Sequence, residues 1–244
     1  MKTITVWHKK GGVGKTTTAF NLAANLGKNG KKVLCVDMDD QCNLSSFFEK
    51  DLKRTKGSKK DIHELLDVEV LHTFQNAYYK SHFYNVYFIK GSHINWCRAS
   101  VFLKQHLQDV SDFFDYVVID CPPNSTLETT HALEAADLIV TPILLDNFSR
   151  DNLNLCRKFL QENDLEKKWV IFANRLRHTK SQKEVYRDLV CNHDYPILKN
   201  AVSDNSAVGT ALLCYKPLYM HRSSAPVTAD FRELTSEVVE QLRA

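Results

Sequence analysis

No apolar run in this chain approaches the ~18–20 residues that a membrane-spanning helix requires. The amino terminus, Met1 to Trp7, reads as a short strand rather than the long apolar core of a signal peptide. Cysteines are present, but no Cys-x-x-Cys pair joins them. Seven are scattered at Cys35, Cys42, Cys97, Cys121, Cys156, Cys191 and Cys214, as expected of reduced thiols in a cytosolic protein rather than a disulfide framework or zinc site. Charge of one sign is scarce too, since 32 Lys and Arg against 29 Asp and Glu leave a formal +3. Bulk charge therefore does not mark a nucleic-acid binder, though a local patch is compatible with it. Neither a Pro/Gly/Ser-rich linker nor an internal repeat divides the 244 residues, so one domain spanning 1–244 is the expectation. A chain of this length buries enough surface to need no covalent staple.

What is present is an alternation of short β-branched runs with longer helical stretches. Strands are expected at Ile4–Trp7, Val33–Val36, Val86–Ile89, Tyr116–Ile119, Leu138–Val140, Val170–Ala173 and Pro196–Leu198. Continuous apolar runs suit strands covered on both faces, and the pattern predicts an α/β fold: a mainly parallel sheet flanked by helices. Residues 48–84 fit least well. Within them Lys50, Lys53, Arg54, Lys56, Lys59 and Lys60 form a basic run with Gly57 and Ser58 inside it, read as an exposed loop. Ile62, Leu65 and Leu66 suggest a short helix. Near the carboxyl end, Phe231, Leu234, Val238 and Leu242 form one helical stripe. Its slightly acidic polar side favours core packing over a membrane surface.

The first strand runs into Lys9-Lys10-Gly11-Gly12-Val13-Gly14-Lys15-Thr16-Thr17-Thr18 and then a helix. Strand, glycine-rich turn, Lys-Thr and helix form a phosphate-binding loop. Its backbone N–H groups make an anion nest at a helix amino terminus. Lys15 would neutralise β/γ-phosphate charge, and the Thr16 hydroxyl would bind Mg²⁺. Carboxylates also stand at strand ends, where open parallel sheets bind ligands. Asp37 and Asp39 follow Val33–Val36, and Asp120 ends the run from Tyr116.

The general pattern places its first glycine where this chain has Lys9. The string Lys10-Gly11-Gly12-Val13-Gly14-Lys15-Thr16 instead resembles the deviant Walker A motif of the ParA/MinD family of P-loop ATPases. Asp37-Met38-Asp39-Asp40-Gln41-Cys42-Asn43 resembles that family's D-x-D-P-Q-G-N segment, with Asp40 in place of proline and Cys42 in place of glycine. Asp115 to Asn124 is similar to its Walker B and switch II. The resemblance implies that Lys10 reaches a partner subunit's nucleotide, that Asp39 positions the attacking water, and that Asp37 and Asp120 support Mg²⁺. Thr17 lies in the same loop, and Asn174 matches an adenine-contacting position.

Within the family, no paired-cysteine motif supports an iron–sulfur carrier, and no basic tail supports a MinD-like regulator, which stays as the alternative. The resemblance favours a ParA-type partition ATPase that binds ATP, pairs with itself, coats double-stranded DNA without sequence preference and answers to a ParB-like partner. Such a protein is cytoplasmic and nucleoid-associated. Lys180, Lys183 and Arg187 fall on one helical face, and Arg222 matches a basic loop. With Lys199 these are the candidate DNA contacts. The first strand starts so early that an amino-terminal helix-turn-helix domain is not expected.

Overall fold

The computed structural model describes residues 1–53, 59–66, 74–75, 77–93, 103–192 and 194–243. Arg54, Lys56, Gly57 and Ser58 of the basic run, and Cys97, lie outside the described residues. Strands β1 (Lys2–Val6), β2 (Val33–Asp37), β3 (Tyr79–Lys80), β4 (Val86–Ile89), β5 (Tyr116–Asp120), β6 (Leu138–Leu144) and β7 (Trp169–Asn174) form one sheet. Their order is β3-β4-β2-β5-β1-β6-β7. All pairings are parallel except the short antiparallel β3–β4 edge.

Among the described residues, the helices of two turns or more are α1 (Lys15–Lys28), α2 (Leu127–Glu134), α3 (Ser149–Glu162), α4 (Lys180–Asn192), α5 (Ser206–Leu213) and α6 (Pro226–Gln241). They divide between the faces of the sheet. Leu34, Val36, Val117 and Ile119 pack with Leu133, Leu153, Leu160 and Leu189 from α2, α3 and α4. The alternate residues Val33, Cys35 and Val118 pack with Phe20, Leu22, Ala211, Phe231 and Leu234 from α1, α5 and α6. Two covered faces explain why the strands read as continuous apolar runs.

The carboxyl-terminal stripe is core, as expected. Phe231, Leu234, Val238 and Leu242 are buried, and Asn25 of α1 donates to the Phe231 carbonyl and Thr235 hydroxyl of α6 at 3.2 and 3.1 Å. Burying each large apolar side chain contributes about 1.5–3 kcal/mol, so the stripe of this helix is committed to the core. Among the described residues no helix is long and apolar enough to cross one.

The expected strand at Pro196–Leu198 is only an isolated bridge, Ile171 to Ile197. Beyond Leu198 the ladder loses its donors, because the buried Glu237 carboxylate accepts the Lys199 and Asn200 N–H groups at 2.8 and 2.9 Å. Other elements hold their places, with β1 beginning two residues earlier and β6 running four residues further than the sequence suggested. The helix at residues 62–65 carries a capping box between Asp61 and Glu64, reciprocal bonds that explain a helix so short.

Candidate functional site

Parallel pairing brings the carboxyl ends of β1, β2 and β5 level, with Val6 and Asp37 both opposite Asp120. The turn between β1 and α1 lies beside them. Its curl requires left-handed backbone at Gly12 (φ +75°) and Gly14 (φ +100°), which glycine adopts without a side-chain clash. Gly14 caps α1, and no side chain caps the first helical N–H groups. The end of α1 therefore faces the loop with donors and its partial positive charge available to an anion.

Three side chains hold this loop. Thr18 donates from both backbone and hydroxyl to the Gly14 carbonyl, at 2.9 and 2.7 Å. Buried Asn174, at the end of β7, donates to the Val13 carbonyl at 2.7 Å. His8 accepts the Lys10 N–H at Nδ1 over 2.8 Å. Burial, helped by the charges of Lys15 and Lys10, pushes its pKa down to about 4, so the ring stays neutral and keeps an acceptor nitrogen. Buried Lys15 turns inward, its Nζ donating to the Lys10 carbonyl at 3.3 Å. Burial lowers its pKa while Asp120 and Asp39 raise it.

The three strand-end acids are buried and differ in what they hold. Asp37 accepts the Ser45 N–H at 2.7 Å and the Asp39 N–H at 3.2 Å, so it shapes the turn that carries Asp39. Asp39 accepts the Gln41 N–H at 3.0 Å. Both Asp120 oxygens are buried without a hydrogen-bond partner. Burial and then the Asp37 charge push its carboxyl well above the usual range, against the pull of the Thr16 hydroxyl. Burial likewise raises Asp37, to about 6, and Asp39. Asp120 and Asp39 act on buried Lys15 and Asp37 acts on Asp120, a cluster with more carboxyls than lysines that a divalent cation would suit. An unpartnered carboxylate beside a hydroxyl suits hydrated Mg²⁺, which keeps several of its waters. Among the described residues no group of three His, Cys, Asp or Glu side chains gathers to hold a metal alone.

The Lys10 side chain is about one-third exposed, and its ammonium pairs with Asp146, beyond the end of β6, at 2.9 Å. Next to Gly14 and Thr17 opens a cavity of about 210 Å³, lined also by Asn174, Arg175, Ser203, Asp204 and Asn205. The departures in the second acidic segment have a structural expression. Cys42, standing for glycine, is left-handed at φ +50°. A Cβ on Gly91 would come within 3.0 Å of its sulfur and 3.1 Å of Asp37 Cγ.

The candidate DNA contacts separate into two places. Lys180, Lys183 and Arg187 are exposed on α4. Lys183 and Arg187 join Lys199 around a cavity of about 510 Å³ with an apolar floor including Ala173, Leu176 and Leu198. Exposed Arg222 follows the turn Leu218–His221, in the layer of α1 and α6, and does not line that cavity. Sequence reasoning missed His8, Ser45, Gly91 and Asp146, because each acts through a residue distant in the chain or through its own backbone turn. An acid following the long β6 run, at the same sheet edge as Asp37 and Asp120, was the available signal for Asp146.

A parallel sheet, a glycine-rich phosphate loop at its carboxyl edge and level strand-end acids define a P-loop nucleotide-binding protein. A family model described as an AAA domain (AAA_31) matches residues 1–169, and the chain belongs to that family as a ParA/MinD-type P-loop ATPase. It is 32% identical to the sporulation initiation inhibitor protein Soj of Bacillus subtilis, over 63% of this chain and 62% of that protein. Identity to the chromosome-partitioning ATPase Soj of Treponema pallidum is 26%, over 98% of this chain and 97% of that protein. The fold matches the septum site-determining protein MinD of Pyrococcus horikoshii, complexed with Mg-ADP. The TM-score is 0.80 at 23% identity, covering 100% of this chain and 98% of the other.

Proposed function

We propose that this chain is a DNA-partition ATPase that pairs with a second copy of itself around ATP. In this reading the Gly11–Gly14 turn and the α1 amino terminus take the triphosphate, with Val13, Thr16 and Thr17 in the same cradle. Lys15 neutralises the β/γ-phosphates, and the base occupies the cavity beside Asn174. Thr16 and Asp120 would hold Mg²⁺, which would supply positive charge to the phosphates, and Asp37 holds the turn behind them. Asp39 orients the attacking water; burial raises its pKa above the ordinary carboxylate range, which makes it a stronger proton acceptor than an exposed carboxylate. Lys10 serves the partner's site, where a second cation stabilises charge developing on the transferring phosphoryl group.

The observation that carries this reading is the divergence of the two loop lysines. Lys15 is buried inward, whereas the Lys10 side chain is partly exposed and pairs with Asp146, so of these two Lys10 is the one free to leave its own subunit by giving up that pair. The ATP-bound pair would bind DNA phosphates through Lys180, Lys183, Arg187, Lys199 and Arg222, placing it on the nucleoid in the cytoplasm. A ParB-like, centromere-bound partner would stimulate hydrolysis and release the pair. The likeness to partition relatives supports this over the MinD-like alternative, as does the burial of the α6 stripe.

Gel filtration and DNA mobility shift with ATP, ADP and no nucleotide test the proposal. ATP alone should give a dimer and a salt-sensitive shift on any duplex. ATP-dependent liposome sedimentation without a DNA shift would overturn it in favour of the MinD-like reading.

A further inference from the structure

If Lys10 acts in the partner's site, its position in the single subunit sets a condition for pairing. Its Nζ lies 2.9 Å from Asp146 Oδ2, and the carboxylate is held for that contact. Asp146 Oδ1 accepts the Phe148 N–H at 3.0 Å and lies 3.2 Å from Ser149 Oγ, while the Asp146 N–H donates to Ser149 Oγ at 2.8 Å. Ser149 Oγ in turn donates to the Leu144 carbonyl. One oxygen is thus spent on the turn and the other faces the lysine. Burial pulls the Asp146 pKa up, yet the Lys10 and Phe148 bonds leave it below the ordinary value. Two residues on, Phe148 is 67% exposed, an apolar residue that a second copy would cover.

We propose that Asp146 is a positioning residue that retains Lys10 in its own subunit until a nucleotide-loaded second copy takes the lysine, and so sets the concentration at which two subunits pair. This rests on the reading that Lys10 acts across the interface. An ammonium cannot hold Asp146 at hydrogen-bond distance and also reach a phosphate in another subunit. Twofold symmetry makes the exchange happen twice per dimer. A partly exposed pair of this kind shifts an equilibrium by about 1.5- to 5-fold, so two released together shift pairing by about 2- to 30-fold.

The test uses Asp146→Asn, which keeps an acceptor for the Phe148 N–H but loses the charge, with Asp146→Ser as a second variant. Dimerisation is followed by analytical ultracentrifugation with a non-hydrolysable ATP analogue. Both variants should pair at protein concentrations about 2- to 30-fold lower than wild type and remain monomeric without nucleotide. An unchanged or raised midpoint would overturn the proposal. Acetylation of Lys10, read by mass spectrometry on nucleotide-free protein, should rise in either variant; equal labelling would mean that the ion pair does not restrain the lysine. Lys10→Ala separates the two layers. If it pairs as wild type does, the cross-subunit role itself fails. If it fails to pair while Asp146→Asn behaves as wild type, only the retention by Asp146 is wrong.

Discussion

Replacing Gly14 with alanine tests how the phosphate loop is held. At φ +100° an L-residue is strained by roughly 1–2 kcal/mol. The new Cβ would also lie 2.4 Å from Asn174 Nδ2 and 3.7 Å from Asn174 Cγ. That nitrogen donates to the Val13 carbonyl, and Asn174 is only 6% exposed, so it has little room to retreat. Losing that buried bond costs about 1–3 kcal/mol, bringing the total to roughly 2–5 kcal/mol. Urea unfolding of nucleotide-free protein measures the loss, and Asn174→Ala isolates its source. With the asparagine already gone, Gly14→Ala should cost only the backbone part, giving a coupling of about 1 kcal/mol or more between the two sites. A Gly14→Ala protein within about 0.5 kcal/mol of wild type, or strictly additive penalties, would refute the reasoning.

Asp120→Asn should stabilise the nucleotide-free protein increasingly as pH rises. The wild-type carboxyl has a raised pKa, so its stability is full at low pH and is lost as pH climbs through that value, whereas the amide does not titrate. The same variant should lose about 10²-fold or more in Mg²⁺-dependent hydrolysis; thermal melts showing a pH-independent difference would contradict the burial argument. Gly91→Ala pushes a methyl against Cys42 and Asp37 and should cost about 1–3 kcal/mol by chemical unfolding, with Gly91→Ala in a Cys42→Ala background costing less. Reversing the charge of Lys183 and Arg187 should weaken DNA binding equally across sequences and reduce the salt slope by about one per lost phosphate contact. An unchanged titration would remove α4 from the interface.

The sheet was legible because every strand with two covered faces must be apolar along its length, and the phosphate loop because glycines in a left-handed turn admit few substitutes. Edge structure was less so. The two-residue β3 has too little length for a pattern, and the expected strand at Pro196–Leu198 gives way to Glu237, whose sequence position among α6 polar residues says nothing of the backbone it binds. The acids were found by their strand ends, but not their division of labour. That Asp37 holds the Ser45 N–H while Asp120 has no partner depends on how residues 39–45 fold back. Asp146 carried only the signal of an acid after a strand, because its partner Lys10 lies 136 residues away.

Mixing two inactive variants most directly tests whether Lys10 is exchanged between subunits. Lys10→Ala keeps its own Asp39, and Asp39→Ala keeps a lysine to donate. In a mixed dimer the first subunit's site is then complete. At protein concentrations high enough for the variants to pair at random, an equal mixture should recover up to about a quarter of wild-type hydrolysis, since half the pairs would then be mixed and one site in each works. If the lysine serves only its own subunit, neither chain holds a complete site and the mixture stays as inactive as its parts.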